Sequence, residues 1–214
     1  MRSKPKGWLE EIKRMYLRGR YGHPIYVVSG LPRSGTSMMM KMLAAGGIEV
    51  WTDRAREADI DNPEGYFELE RIKNLEKDSE KAWLYEARSK VVKIISHLLG
   101  ELPPVHFYRV IFMQRNLDEV IASQNKMLER VGKQGDRGDE ELVRRTFETH
   151  LWRTKYWMKQ QKHFDFIPVE YAQVIQDPES CARSLRDFLG RDLDLQEMAQ
   201  AVNPSLYRNR LRPD

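Results

Sequence analysis

The segment Gly30-Leu31-Pro32-Arg33-Ser34-Gly35-Thr36-Ser37 gathers two glycines, one cation and three hydroxyls within eight residues. Glycines let a backbone come close to an anion, and successive N–H groups opening a helix supply positive potential there. The apolar run Tyr26-Val27-Val28 precedes the segment, and Met38-Met39-Met40, Met42 and Leu43 follow it, so it lies between a strand and a helix. A turn of this composition in this place is suited to a phosphate or sulfate ester. Its glycine spacing and last hydroxyl match the triphosphate-binding pattern G-x-x-x-x-G-K-[ST], but Thr36 stands where that pattern has lysine. The base has moved to Arg33, inside the loop.

Enzymes that transfer phosphoryl groups hold magnesium with an aspartate at the end of a neighbouring strand. Here the apolar run Phe107–Met113 ends in Gln114-Arg115, and the β-branched run Lys90–Ile95 contains Lys93. A transferring sulfuryl group carries less negative charge than a phosphoryl group, and fixed Lys, Arg and backbone donors can stabilise it without a metal. Charge logic therefore favours sulfuryl over phosphoryl transfer. Two other functions fit the loop. One is a metal-dependent nucleotide or small-molecule kinase, with Asp53, Asp59 or Asp61 on magnesium; the other is a non-catalytic nucleotide-binding relative. His23, His106, His150 and His163 have no metal-ligand spacing, and no metal is expected.

Pro32–Ser37 resembles the 5′-phosphosulfate loop of sulfotransferases that use 3′-phosphoadenosine 5′-phosphosulfate (PAPS). Arg115-Asn116-Leu117-Asp118-Glu119-Val120-Ile121-Ala122-Ser123 is similar to that family's 3′-phosphate motif, an arginine and a serine eight residues apart. Glu170-Tyr171 with the following Asp177-Pro178 resembles the next segment, whose tyrosine lies near the adenine. Asp61–Glu68 resembles a stretch of bacterial members. The likeness spans roughly residues 25–190. It implies a P-loop NTPase-like fold and PAPS as co-substrate. Arg33, Ser34, Gly35, Thr36 and Ser37 would surround the 5′-phosphosulfate, Arg115 and Ser123 the 3′-phosphate, and Tyr171 the adenine. The acceptor would be a hydroxyl or amine of a small molecule or glycan. Arg115 has a plainer alternative, an ion pair with Asp118 or Glu119.

The better-known cytosolic branch carries its catalytic base in a Lys-x-His run, whereas Lys93-Ile94-Ile95-Ser96-His97 puts three residues between the two. His97 remains one candidate base. Glu68 and Glu64 are others, since some branches use a glutamate, and Glu68 between Phe67 and Leu69 gains the burial a carboxylate base needs. Lys93, at a strand end, would stabilise the bridging oxygen as the sulfuryl group departs. That branch's C-terminal glycine-rich phosphate loop is missing; Arg208 and Arg210 substitute for it, or they form a solvated basic tail.

The elements that must position these residues follow from the hydrophobic pattern. Strands at 26–28, 48–51, 90–95, 107–113 and 166–169 alternate with helices, which argues for one α/β domain, a parallel sheet with helices on both faces. In such a sheet the site lies at the carboxyl ends of the strands. That gathers Gly30–Ser37, Lys93–His97, Gln114-Arg115 and Glu170-Tyr171 on one rim. Asn116 caps a helix through Met127, and Pro178–Leu189 is a helix closed by Gly190. Residues 69–88 read as one or two surface helices, 131–139 as a glycine-rich flap, and 140–162 as a long helix that buries Trp152, Tyr156 and Trp157. Residues 1–24 form an N-terminal amphipathic helix, with Trp8, Leu9, Ile12, Tyr16 and Leu17 on one stripe, ahead of the domain at 25–214. Such a basic helix either packs on its own domain or lies on an anionic membrane.

The 214 residues carry a net charge of +4, which suits an anionic small ligand without implying nucleic acid. Cys181 is the only cysteine, so an internal disulfide is excluded and a reducing, cytoplasmic setting is expected. Charged residues interrupt the first helix, so it is neither a signal peptide nor a stable membrane insertion.

Overall fold

The computed structural model describes residues 6–53, 65, 67–130, 132 and 139–207. Helix α1 (Lys6–Tyr21) leads into β1 (Ile25–Gly30), and the loop after β1 opens α2 (Thr36–Ala45). Short α3 (Glu70–Lys73) and a 3₁₀ helix, Lys81–Ala87, precede β2 (Val91–Lys93). A second 3₁₀ helix, Ser96–Glu101, leads to β3 (Tyr108–Gln114), then α4 (Leu117–Arg130) and α5 (Glu140–Gln160). The chain closes with β4 (Phe164–Glu170), α6 (Tyr171–Gln176), α7 (Pro178–Leu189) and α8 (Leu195–Gln200).

All four strands run parallel in the order β2-β1-β3-β4, with Val27 opposite Val92 and Val110, and Val110 opposite Phe166. Every residue of β1 is buried, as a central strand covered on both faces must be. The strand pleat divides the core in two. Tyr26, Val28, Ile111, Met113 and Val169 pack with the α2 methionines and with α6, α7 and α8. Ile25, Val27, Val92, Val110 and Phe112 pack on the other side against Leu84, Leu99 and Met158. The chain leaves β1 for the first face and leaves β3, through α4, for α5 on the second. The carboxyl ends of these adjacent strands therefore open a crevice at the point where the connections diverge.

Four expectations need correction. Ile48–Trp51 is no strand: Val50 makes a single parallel bridge to Val91, because β2 is only three residues long and offers little to pair with. The 69–88 region holds two short helical segments, as expected, but they are not confined to the surface: the region buries Ile72, Leu75, Leu84 and Ala87 against the sheet. Trp152 and Tyr156 are not core. They stack on each other in the open, 63% and 56% exposed, with ring centroids 5.4 Å apart. Trp157 does pack inward, edge-on to Phe164. In α1, Leu17 is buried and Tyr21 stacks on Phe107, but Ile12 and Tyr16 of the same sequence stripe face outward. The flap at 131–139 lies mostly outside the described residues.

Candidate functional site

The loop after β1 is shaped by its own hydrogen bonds. Ser34 is buried, and its hydroxyl donates to the Leu31 carbonyl at 2.7 Å while its N–H donates to the same oxygen at 3.2 Å. Ser34 thus closes the turn. Arg33 beside it adopts a left-handed φ of 72°, sparsely populated for a residue with a side chain and found where function holds it. Gly35 caps α2 with φ 95°, and a Cβ there would sit 2.3 Å from the Tyr171 ring. Only glycine lets that ring lie against the loop. The first-turn N–H groups of α2, Thr36 and Ser37 among them, have no intrahelical carbonyl to bond, and they supply the positive end of the helix.

Around this turn the four strand ends deliver their side chains. The guanidinium Nε of Arg33 donates to Ser123 Oγ at 2.9 Å, joining the loop to buried Ser123 in α4. From the end of β3, Arg115 donates to the Arg33 carbonyl at 3.2 Å. Its Nε also pairs with Glu119 at 2.9 Å, the two side chains only 9% and 5% exposed. Arg115 lies over two rings, Tyr171 at 4.7 Å and Tyr207 at 5.3 Å, and the Tyr207 hydroxyl donates to the other Glu119 oxygen at 2.8 Å. Burial, and next the bond to Glu119, push the Tyr207 phenol above its ordinary pKa. Of the two alternatives for Arg115, the ion pair is present, with Glu119, and the arginine also donates to the loop at the Arg33 carbonyl.

On the opposite flank Lys93, at the end of β2, donates to Ser37 Oγ at 3.4 Å and stands 3.8 Å from Glu68. Glu68 also pairs with Lys73 at 3.1 Å, and its carbonyl accepts from Thr52 Oγ1 at 2.6 Å. Phe67, just before it, takes a left-handed φ of 50°. Between the two flanks a polar chain runs along the strand ends: Lys155 donates to Gln114 at 2.8 Å, and Gln114 donates to Glu170.

The structure thus brings together Arg33, Ser34, Gly35, Thr36, Ser37, Arg115, Ser123 and Tyr171 on one side, with Lys93 and Glu68 on the other. His97 is not joined to them by any described contact. It is exposed on the 3₁₀ helix after Ile95, where its charge, after burial, helps lower the pKa of His150. Arg208, Arg210, Glu64, Asp59 and Asp61 lie outside the described residues. Asp53, the remaining magnesium candidate, caps α3 by accepting from the Glu70 N–H at 2.6 Å. Among the described residues no group of three His, Cys, Asp or Glu side chains gathers as a metal site. Sequence reasoning missed Tyr207. Its signal was an aromatic directly before Arg208 in a tail read only for its charges.

A glycine-containing turn, a helix start and two arginines come together at the carboxyl ends of a parallel sheet in an α/β fold, the arrangement of a candidate anion site. The model of the sulfotransferase domain family matches residues 24–210, and the chain belongs to that family. The activity of that family is sulfuryl transfer. No curated protein matches the chain. Among solved structures it is similar to a sulfotransferase domain from the curacin biosynthetic pathway, at 14% identity over 85% of this chain and 78% of that one, with a TM-score of 0.49. It is also similar to retinol dehydratase in complex with androsterone and the inactive cofactor PAP. There the identity is 16% over 88% of this chain and 67% of the other, with a TM-score of 0.45. No helix among the described residues is long and apolar enough to cross a membrane.

Proposed function

We propose that the rim built by Gly30–Ser37, Arg115, Ser123 and Tyr171 holds PAPS, and that Lys93 and Glu68 act on its sulfuryl end. The carrying observation is the Arg33–Ser123 hydrogen bond with Arg115 on the Arg33 carbonyl. It makes the loop after β1 and the helix after β3 neighbours, so one nucleotide can reach both. In this P-loop-like arrangement the N–H groups of α2, Thr36, Ser37 and the Arg33 guanidinium receive the 5′-phosphosulfate. The Ser34 hydroxyl, already donating to Leu31, shapes the loop, and its contribution to binding is through the backbone. Arg115 and Ser123 receive the 3′-phosphate, and Tyr171 flanks the adenine.

In the transfer, an acceptor hydroxyl or amine of a small molecule or glycan forms a bond to sulfur as the bridging S–O bond to the 5′-phosphate breaks. Glu68 takes the acceptor's proton, and Lys93 faces the charge gathering on the leaving oxygen. The two groups sit together, beside Ser37 of the loop. Arg208 belongs to the same proposal as a tail contact to the nucleotide, following Tyr207 as it does.

The test is thermal stabilisation by adenosine 3′,5′-bisphosphate against AMP. Stabilisation follows RT ln(1 + [L]/Kd), so a hundredfold tighter ligand adds about 2.7 kcal/mol. The bisphosphate should stabilise far more than AMP, and Arg115→Ala should erase the difference while leaving AMP nearly unchanged. Equal shifts from the two ligands in the wild-type protein would remove Arg115 and Ser123 from the nucleotide site.

A further inference from the structure

We propose that the outward face of α1 docks on the surface of an anionic lipid bilayer. This helix meets the domain through a polar and aromatic face. Arg14 donates to the Asp187 carbonyl at 2.7 Å, Leu17 is buried, and Tyr21 stacks on Phe107. The outward face carries an apolar stripe. Ile12, Met15 and Tyr16 fall at i, i+3 and i+4, one stripe of a helix, and are 38%, 63% and 63% exposed. They are three of the nine exposed large apolar side chains among the described residues, and they lie on two adjacent turns. Apolar side chains scattered singly are ordinary on a protein surface, whereas a contiguous stripe marks an interaction site.

Charge identifies the partner. Lys13 and Arg20, both exposed, border one edge of the stripe, and on the other edge Arg18 offsets Glu11. Among the described side chains of the helix, three exposed bases, Lys13, Arg18 and Arg20, stand against the one exposed acid, Glu11. A helix with a short apolar stripe, basic borders and charges on every turn is built to lie in a headgroup layer rather than to span it. Anionic headgroups attract the bases, and the stripe enters the boundary with the acyl chains. A soluble partner protein would need acidic complements placed one by one; a bilayer surface supplies them everywhere.

The experiment is co-sedimentation of the full chain with vesicles. Phosphatidylcholine mixed with phosphatidylglycerol should pellet the protein, whereas phosphatidylcholine alone should bind it at least ~10-fold more weakly. Raising salt to roughly 1 M, where the Debye length falls to about 3 Å, should release it. The double variant Met15→Glu with Tyr16→Glu should lose vesicle binding by ~10-fold or more. Its thermal shift with adenosine 3′,5′-bisphosphate should stay at the wild-type value, because these side chains are exposed and far in sequence from the loop. Lys13→Glu with Arg20→Glu should lose binding in the same way. The proposal is overturned if wild type ignores the anionic vesicles, or if the Met15/Tyr16 variant binds them normally. It is equally overturned if wild type sediments as a dimer that this variant dissociates and no vesicle binding is found, since a second copy then covers the stripe.

Discussion

Of the two candidate bases Glu68 and His97, only Glu68 reaches Lys93. The carboxylate of Glu68 lies 3.8 Å from Lys93, which in turn reaches the Ser37 hydroxyl of the loop. His97 sits four residues beyond Lys93, after the strand has ended and a 3₁₀ turn has begun, and it is exposed near His150. A base must be within hydrogen-bond reach of the proton that it takes, which favours the residue held beside Lys93 and the proposed sulfuryl position. Glu68→Gln keeps the shape and removes the basicity. It should lower the transfer rate by ~10²-fold with little change in bisphosphate binding, whereas His97→Asn should leave both within about twofold. Steady-state rates and thermal shifts on the two variants decide this. A normal rate in Glu68→Gln, or a collapse in His97→Asn, would exchange the assignments. Arg115 belongs to the same scale: its charge is fixed between two tyrosines and one buried glutamate, so its direction is set before any ligand arrives.

At the scale of elements, the site depends on how closely α6 approaches the start of α2. Tyr171 opens α6, and its ring fills the space that a side chain at residue 35 would need. Gly47, in the turn after α2, has nearly the same backbone, with φ 93°, but open space around it. Alanine at either position forces a left-handed backbone on a residue with a Cβ, which costs about 1 kcal/mol of stability. Only Gly35→Ala should also displace Tyr171 and weaken bisphosphate binding, by ~10-fold or more. Denaturant titration should therefore show Gly35→Ala as the more destabilised, because it adds overpacking against Tyr171 to the backbone cost, and ligand stabilisation should separate the two variants further; equal ligand shifts would show that the Tyr171 contact is dispensable. The loop and the strands around it were legible in the sequence, because turn chemistry and β-branched runs are local signals. The faces of the helices were not. A 3.6-residue period gives a stripe but not the direction in which it points. In α1, Leu17 is buried and Arg14 bonds a backbone carbonyl of the domain, which leaves Ile12 and Tyr16 outside. In α5 the same ambiguity put Trp152 and Tyr156 in the wrong layer. Tyr207 was missed for another reason: its partners, Glu119 and Tyr171, are remote in sequence.

The molecule as a whole carries its binding site at the carboxyl ends of the strands and a different kind of liability at the other end. His106 immediately precedes Phe107 and β3, fully buried, with Tyr85 and Tyr108 edge-on to its ring at 4.6 and 6.2 Å. Neither of its ring nitrogens has a hydrogen-bond partner among the described residues. Burial, and then the charge of Arg88, hold its pKa down at about 4. His163 is lowered by burial, and His150 by burial and then by His97. A histidine with a depressed folded pKa binds its proton in the unfolded chain first. Its contribution to stability is therefore complete above the unfolded value of about 6.5 and is lost as pH falls toward the folded one. Each such group gives a slope of at most about 1.4 kcal/mol per pH unit in that window. The free energy of unfolding, measured by urea titration, should fall between pH 6.5 and 5, above the range in which most carboxylates titrate. His106→Phe keeps an aromatic ring between Tyr85 and Tyr108 and removes the titration, so its slope should be shallower by up to that amount. The proposed nucleotide site lies at the opposite ends of the strands, so the variant's bisphosphate shift at pH 7.5 should match wild type. If the variant keeps the full wild-type slope, the acid sensitivity does not come from His106. The orphaned ring would then be only a packing element at the amino end of the sheet.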